Sequence, residues 1–328
     1  MVDGRTRAPG FRAEHPLLAF VTRRMLRLAV SLAVLLTLSF AMIHLIPGDP
    51  VRTALGPKAP PSRVVAVRHD LGLDKPLAEQ YVDYVGNVLT GDFGTSLVSN
   101  LPVSEIIAER LPNTARLAGI AFLVILGLAV PLGMLAAVAT RDGRRRGTEL
   151  MFTTVTGGLA IVPEFVLGVG LVYVFAVSLN WFPVAGQSGV SSYVLPVTAL
   201  CLGSIAALAR IVRVETLKVL GEDYMRTARS KRLPARILYL RHCLPNMLTA
   251  TLTLAGLILG GLIGGTVLVE NVFAWPGLGT IIAQSVSQQD YALAQAIILL
   301  LGGAVLIVNF IVDLLLGTLD RRSTIRDA

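Results

Sequence analysis

Six stretches are apolar over enough consecutive positions to cross a bilayer core, which takes about 20 residues of helix. They cover 28–46, 117–139, 151–179, 194–209, 248–269 and 292–316. The third is long and carries Pro163 within it, and the fourth is short. Between them the pattern turns polar, with brief amphipathic runs that predict helices over 61–70, 77–89, 103–110, 223–231 and 234–243. Pro234 suits the first turn of the last of these. The pattern thus predicts an all-α polytopic membrane protein of six transmembrane helices. Its parts are a tail over 1–27, the first helix over 28–46, a long segment over 47–116, a five-helix core over 117–316 with a loop at 210–247, and a tail over 317–328.

Composition agrees and removes the competing classes. Hydrophobic residues make up 54% of the 328 positions and charged residues 15%, against about 25% charged in soluble domains. Disorder, collagen and a disulfide scaffold are excluded by the apolar content, the aperiodic Gly and the two cysteines. The net charge of +8 acquires meaning only when placed along the chain. The N-terminal tail holds six Lys and Arg, the 140–150 connection four, the 210–247 loop nine and the C-terminal tail three, while 180–193 and 270–291 hold none. The other seven lie in the long 47–116 segment beside eight acidic residues, and long segments translocate largely regardless of charge. The asymmetry places both termini and the 210–247 loop in the cytoplasm, and the 47–116 loop outside. The first span follows Arg23, Arg24 and Arg27, yet its apolar run is too long for a signal peptide and lacks a small-residue cleavage site, so it is expected to be retained. The preference for Arg over Lys suggests a GC-rich bacterial genome.

The motifs of chemistry are missing. The sequence has no phosphate-binding G-x-x-x-x-G-K-[ST] loop, no H-E-x-x-H, no zinc-spaced Cys/His cluster and no G-x-S-x-G. The histidines at 15, 44, 69 and 242 are not paired at ligand spacing. No catalysis, metal or cofactor is therefore expected in this chain. An ion-coupled secondary transporter buries several ionisable groups and often has two related halves. Here Glu164 is the only acid deep in a span, Asp313 lies near the end of the last one, and no repeat relates spans one to three with four to six. That class stands as the alternative.

The 210–247 loop carries the most specific signal. Asp223-Tyr224-Met-Arg226-Thr227-Ala228-Arg229-Ser-Lys231, then Leu233, then Arg241-His242-Cys-Leu-Pro-Asn246 resembles the cytoplasmic "EAA" loop of ABC-importer permeases. It is most similar to the dipeptide, oligopeptide and nickel branch. Pro47-Gly-Asp-Pro50, Leu71-Gly-Leu-Asp74, Gly91-Asp-Phe-Gly94, Arg110-Leu-Pro-Asn-Thr114, and Glu270-Asn271-Val-Phe-Ala-Trp275-Pro-Gly-Leu-Gly279 follow the same branch in order and spacing. The resemblance, which covers about 20–326, implies a type I importer permease of the B type. It implies alternating access with a second homologous permease, two ATPase subunits that carry ATP and Mg, and an extracytoplasmic binding protein that delivers substrate. A peptide is the expected substrate; the same branch also moves glutathione, nickel chelates and some sugars. Asp223, Tyr224, Arg226, Thr227, Ala228, Arg229, Lys231, Arg232 and Leu233 are implied as the coupling surface for the ATPase. Arg232 stands where the family has Gly, so the turn there is expected to adopt another geometry.

Four further features draw attention. Glu164 follows Pro163 inside the third span, where a carboxylate is costly unless it faces protein or a watery path. It is expected either to line the translocation path and attract a cationic or amino-terminal group, or to pair with a neighbouring subunit. Glu270 and Asn271 end the fifth span and are candidates for the translocation path or gate, where Glu270 either lines the outer gate or is a solvated acid at a helix end. Gly256, Gly260, Gly261, Gly264 and Gly265 form a small-residue stripe suited to close helix packing, and Trp275 is expected to anchor at the membrane interface.

Overall fold

The computed structural model describes residues 16–45, 50–56, 59–70, 72–143 and 145–319. Most of both charged tails, together with Pro47, Gly48, Asp49 and Leu71 of the quoted motifs, lie outside the described residues. Within them the secondary structure is helical, apart from one isolated antiparallel bridge, Thr95–Pro102.

Helix α1 (Pro16–Leu45) starts well ahead of the apolar window and carries Arg23, Arg24 and Arg27 on its extension. Long basic side chains lay their apolar stems along a helix while their charges reach water, so an apolar window underestimates such a helix. Three short helices follow, α2 (Pro50–Leu55), α3 (Pro61–Asp70) and α4 (Leu77–Thr90), the last ended by Gly91 in the left-handed region. Helix α5 (Val103–Thr140) fuses the expected 103–110 helix with the second span, running through Pro112 and Pro131. Proline removes one backbone hydrogen bond but has the φ of a helix, and neighbouring helices and local adjustments re-satisfy the freed groups.

The third span is the opposite case. Val162 adopts φ −73° and ψ 123°, the extended geometry imposed on a residue preceding proline. The span therefore breaks into α6 (Arg146–Ile161) and α7 (Glu164–Ser178), bent by 96°, with the end of α7 wound as a π-helix over Val172–Ser178. Helix α8 (Ser191–Gly221) continues beyond the fourth apolar stretch, so the first third of the expected loop is helix. Helix α9 (Asp223–Ser230) is followed by α10 (Ala235–Ile237), which passes through a π-helical segment (Leu238–Cys243) into α11 (Leu244–Val272). Two helices are new to the sequence reading, α2 and the apolar α12 (Leu278–Ser287); α13 (Tyr291–Leu319) completes the fold. Counting the bent pair as one gives six spans.

Parallel α5 and α8 form the centre. Cys201 of α8 bonds the Ala121 carbonyl at 3.3 Å, and further along Arg213 meets Thr140 at 3.0 Å. Between these points Gly133 lets the helices touch: a Cβ there would lie 2.5 Å from the Ala209 carbonyl oxygen and 2.6 Å from Val212 Cβ. The end of this pair that carries the basic residues is closed by Arg213, which bonds Glu149 of α6 at 2.6 Å as well as Thr140. On one flank α6 and α7 pack against α8. Helix α11 packs on α8 and α7 and runs antiparallel on α13, with Gly256 facing Val312 and Gly260 facing Asn309. The outermost helix, α1, meets α13 through Arg24–Asp313 at 2.5 Å and through mutual contacts of Ser39 and Gln295. The short helices α2–α4 and the following loop cap the other end, held by Thr37–Tyr81 at 2.9 Å, by packing of Phe40 on Tyr81 and Tyr84, and by the buried Ser96–Asp290 hydrogen bond.

Gly133→Ala is expected to lower stability by about 1–3 kcal/mol, the usual cost of overpacking, because its nearest obstacle is backbone. Thermal unfolding of the purified protein in detergent checks this; an unchanged midpoint would contradict the close α5–α8 contact.

Candidate functional site

Helix α9 is short, so packing rather than propensity must hold it. Met225 and Ala228, three positions apart, are both buried against the core. The Arg229 guanidinium donates to the Leu220 carbonyl at 2.5 Å, satisfying an end carbonyl of α8. Burial, and next the charge of Arg141, hold the Arg229 pKa below its usual value. The nine candidate coupling residues therefore separate. Ala228, Arg229 and Leu233 face the protein and anchor the helix, while Asp223, Tyr224, Arg226, Thr227, Lys231 and Arg232 are exposed. Asp223 and Arg226 form an exposed pair at 3.4 Å.

Arg232 departs from expectation. It adopts φ 53°, and its N–H bonds the Arg229 carbonyl at 2.8 Å. The left-handed turn is kept although a side chain occupies it, because the hydrogen bonds of the helix end require that conformation.

At the far end of the bundle the Glu270–Gly279 sequence folds into a compact junction. Glu270 is fully buried and therefore lies on no open surface in this structure. One of its carboxylate oxygens accepts the Gly279 N–H at 2.6 Å, and the Thr280 N–H and Thr114 hydroxyl also interact with it. The carboxylate thus caps the start of α12, where unpaired N–H groups and the helix dipole favour an anion. Gly277 and Gly279 leave the space it occupies, since a Cβ at either position would collide with it. The Thr114 hydroxyl accepts the Leu278 N–H at 2.9 Å, and Asn113 donates to the Pro276 carbonyl at 2.9 Å, so α5 joins the junction. Asn271, exposed at its surface, donates to the carbonyls of Val267 and Gly279. Trp275 is no interfacial anchor: it is fully buried, edge-on to Tyr193 at 4.6 Å between ring centroids.

Glu164 stands apart from both places. As the first residue of α7 it borders a cavity of ≈ 390 Å³ between the α6–α7 break, α8 and α11. It lies over Gly265, where a Cβ would collide with its carboxylate.

The family described as the binding-protein-dependent transport system inner membrane component matches residues 129–325, and its N-terminal companion matches residues 17–118. The chain belongs to the binding-protein-dependent ABC importer permease family. It is a multi-pass inner-membrane protein and the permease of such an importer. Relatives of this permease include the glutathione transport system permease protein GsiC of Escherichia coli (strain K12), 38% identical over 304 residues that span 93% of this chain and 98% of that protein. The corresponding GsiC of Salmonella typhimurium is 39% identical with the same coverage. A solved structure of the MetNI methionine ABC transporter in an inward-facing conformation contains a chain of the same fold, with a TM-score of 0.54 at 18% identity, matching 66% of this permease and 97% of that chain. Among the described residues no group of His, Cys, Asp or Glu is arranged to hold a metal.

Asn113, Thr114, Gly277 and Gly279 entered the sequence analysis only within motif strings, and Gly265 only as part of a packing stripe. The signal was nevertheless present. Arg110–Thr114 and Glu270–Gly279 are the two sides of one contact, and each breaks the apolar pattern at a span end with residues that cap or admit close approach.

Two substitutions test this permease. Glu270→Gln keeps the shape but removes the charge from the α12 cap, with an expected loss of about 1–3 kcal/mol in unfolding stability. Arg232→Gly removes the left-handed penalty and is expected to raise stability by about 1 kcal/mol; a loss of folded protein would contradict the turn geometry.

Proposed function

We propose that this permease pairs with a second, homologous permease to form the passage of an importer for small peptides, a class that includes glutathione. Two ATPase subunits, holding ATP and Mg, drive it, and an extracytoplasmic binding protein delivers the substrate. In this reading the end carrying α9 and both tails faces the cytoplasm, and the α2–α4 cap faces outward. The 22 basic residues of the tails and of the two connections on that side support the orientation. The GsiC relatives support the substrate class.

The observation that carries the mechanism is the division of α9 into a buried anchoring face and an exposed polar one. A lever must be rigid toward the body it moves and accessible to the body that pushes it. Met225, Ala228 and Arg229 supply the first property, and Asp223, Tyr224, Arg226 and Thr227 the second. Closure of the ATPases would displace α9, and with it α8 and the segment leading to α11, as one of two discrete packings. The substrate undergoes no covalent change in this chain.

Co-expression with the candidate partners and uptake of labelled dipeptide by membrane vesicles tests the proposal. ATP-dependent uptake that requires the binding protein is expected. Arg226→Glu, which reverses charge on the exposed face, is expected to reduce uptake at least tenfold while the permease remains folded. Uptake by this chain alone, driven by an ion gradient without ATP, would establish the secondary-transporter alternative instead.

A further inference from the structure

We propose that Glu164 is a substrate-binding residue within the membrane, holding the protonated amine of the molecule in transit, so that the passage itself favours substrates with a free ammonium group. The inference rests on the peptide-importer reading and deepens it, because it assigns part of the selection to this chain rather than to the binding protein.

Four features support it. First, the 96° break at Val162-Pro163 places Glu164 near the middle of the third apolar stretch, away from either polar end. A carboxylate at that depth is retained where it faces protein, a watery cavity or a counter-charge. Second, a cavity of ≈ 390 Å³ lies beside it, within the roughly 300–1,000 Å³ range of small-molecule sites. Its walls include Ala199, Gly203 and Ser204 of α8, small residues that leave room, and Ile258 and Leu268 of α11, which supply apolar surface. Third, Gly265 gives the carboxylate its position, since any larger residue there would displace it. Fourth, among the described residues neither a cation nor a hydrogen-bond donor pairs with this carboxylate. Glu149, Glu270 and Asp313, by contrast, are each engaged by a donor from another part of the fold.

An anion with space beside it and no resident partner is suited to a cation that comes and goes. A peptide supplies one at its amino terminus, next to small apolar groups that match the walls. The start of α7 supports the charge between substrates, because helix N-termini favour anions. The cavity borders α6 and α7, the flank of the bundle away from α1 and α13, where a second permease would complete the enclosure.

The test compares wild-type, Glu164→Gln and Glu164→Asp permeases in the complete complex. Uptake of a dipeptide with a free amino terminus and of its N-acetylated form is followed, together with ATPase activity stimulated by the loaded binding protein. Glu164→Gln is expected to reduce free-amine uptake at least tenfold, while N-acetyl uptake does not fall and stimulated ATPase stays within twofold. Glu164→Asp should retain at least a third of the wild-type rate. Three results overturn the inference: unchanged free-amine uptake in Glu164→Gln, an equal fall for both peptides, or a fall in complex assembly and ATPase alongside uptake. The last would make Glu164 a structural partner of the second permease. A wild-type complex that imports neither peptide refutes the peptide reading itself, and this inference with it.

Discussion

A helix that begins at a buried position brings backbone N–H groups that water cannot reach. Helix α12 begins in that way, and the Glu270 carboxylate is the group that answers it. The arrangement joins three helices through one buried anion: α11 carries it, α12 is capped by it, and α5 reaches it through Thr114. Trp275 and Phe273, which follow Glu270 in the chain, are buried as well. A buried carboxylate is costly unless it is hydrogen-bonded, so the glycines at 277 and 279 matter as much as the acid. They let the backbone come close enough to supply the donors.

The opposite end of the bundle is organised by cations. Arg213 joins α5, α6 and α8, and Arg229 closes the end of α8 while tying α9 to it. The basic residues counted along the sequence thus divide into two kinds. A few are built into the protein by specific acceptors, whereas Arg226, Lys231 and Arg232 are exposed on the surface. The positive charge gathered at that end also supplies the joints between its helices.

Much of this architecture was legible from hydrophobic pattern alone. All six spans were found, because each buries or exposes apolar surface over a length fixed by the bilayer. Helix ends were the weaker part. Arg23 and Arg24 lie on α1, and Arg213 and Lys218 on α8, beyond the apolar windows, since Arg and Lys are themselves good helix formers. Proline acts in both directions: Pro112 leaves α5 unbroken, whereas Pro163 bends the third span sharply. The difference lies in the residue before each, which in one case stays helical and in the other turns extended. Helix α12 was hidden because its apolar run is too short to span and its cap lies nine residues upstream in another helix. At the sites, the motif at 223–233 located the exposed face of α9, but only packing revealed that Arg229 and Ala228 point inward. Sequence left open whether Glu270 was a gate or a solvated acid, because burial depends on Thr114, which lies far away in the chain.

The α1–α13 pairing has a consequence for biogenesis. Arg24 meets Asp313 across a separation of 289 residues, and α1 packs chiefly on α13. At synthesis rates of about 5–20 residues per second, the first helix made waits roughly 15–60 s before its partner leaves the ribosome. During that time its apolar surface has only lipid, the cap or the insertion machinery for company. The central α5–α8 pair forms much earlier, so the bundle grows from the inside and the oldest helix is fitted last.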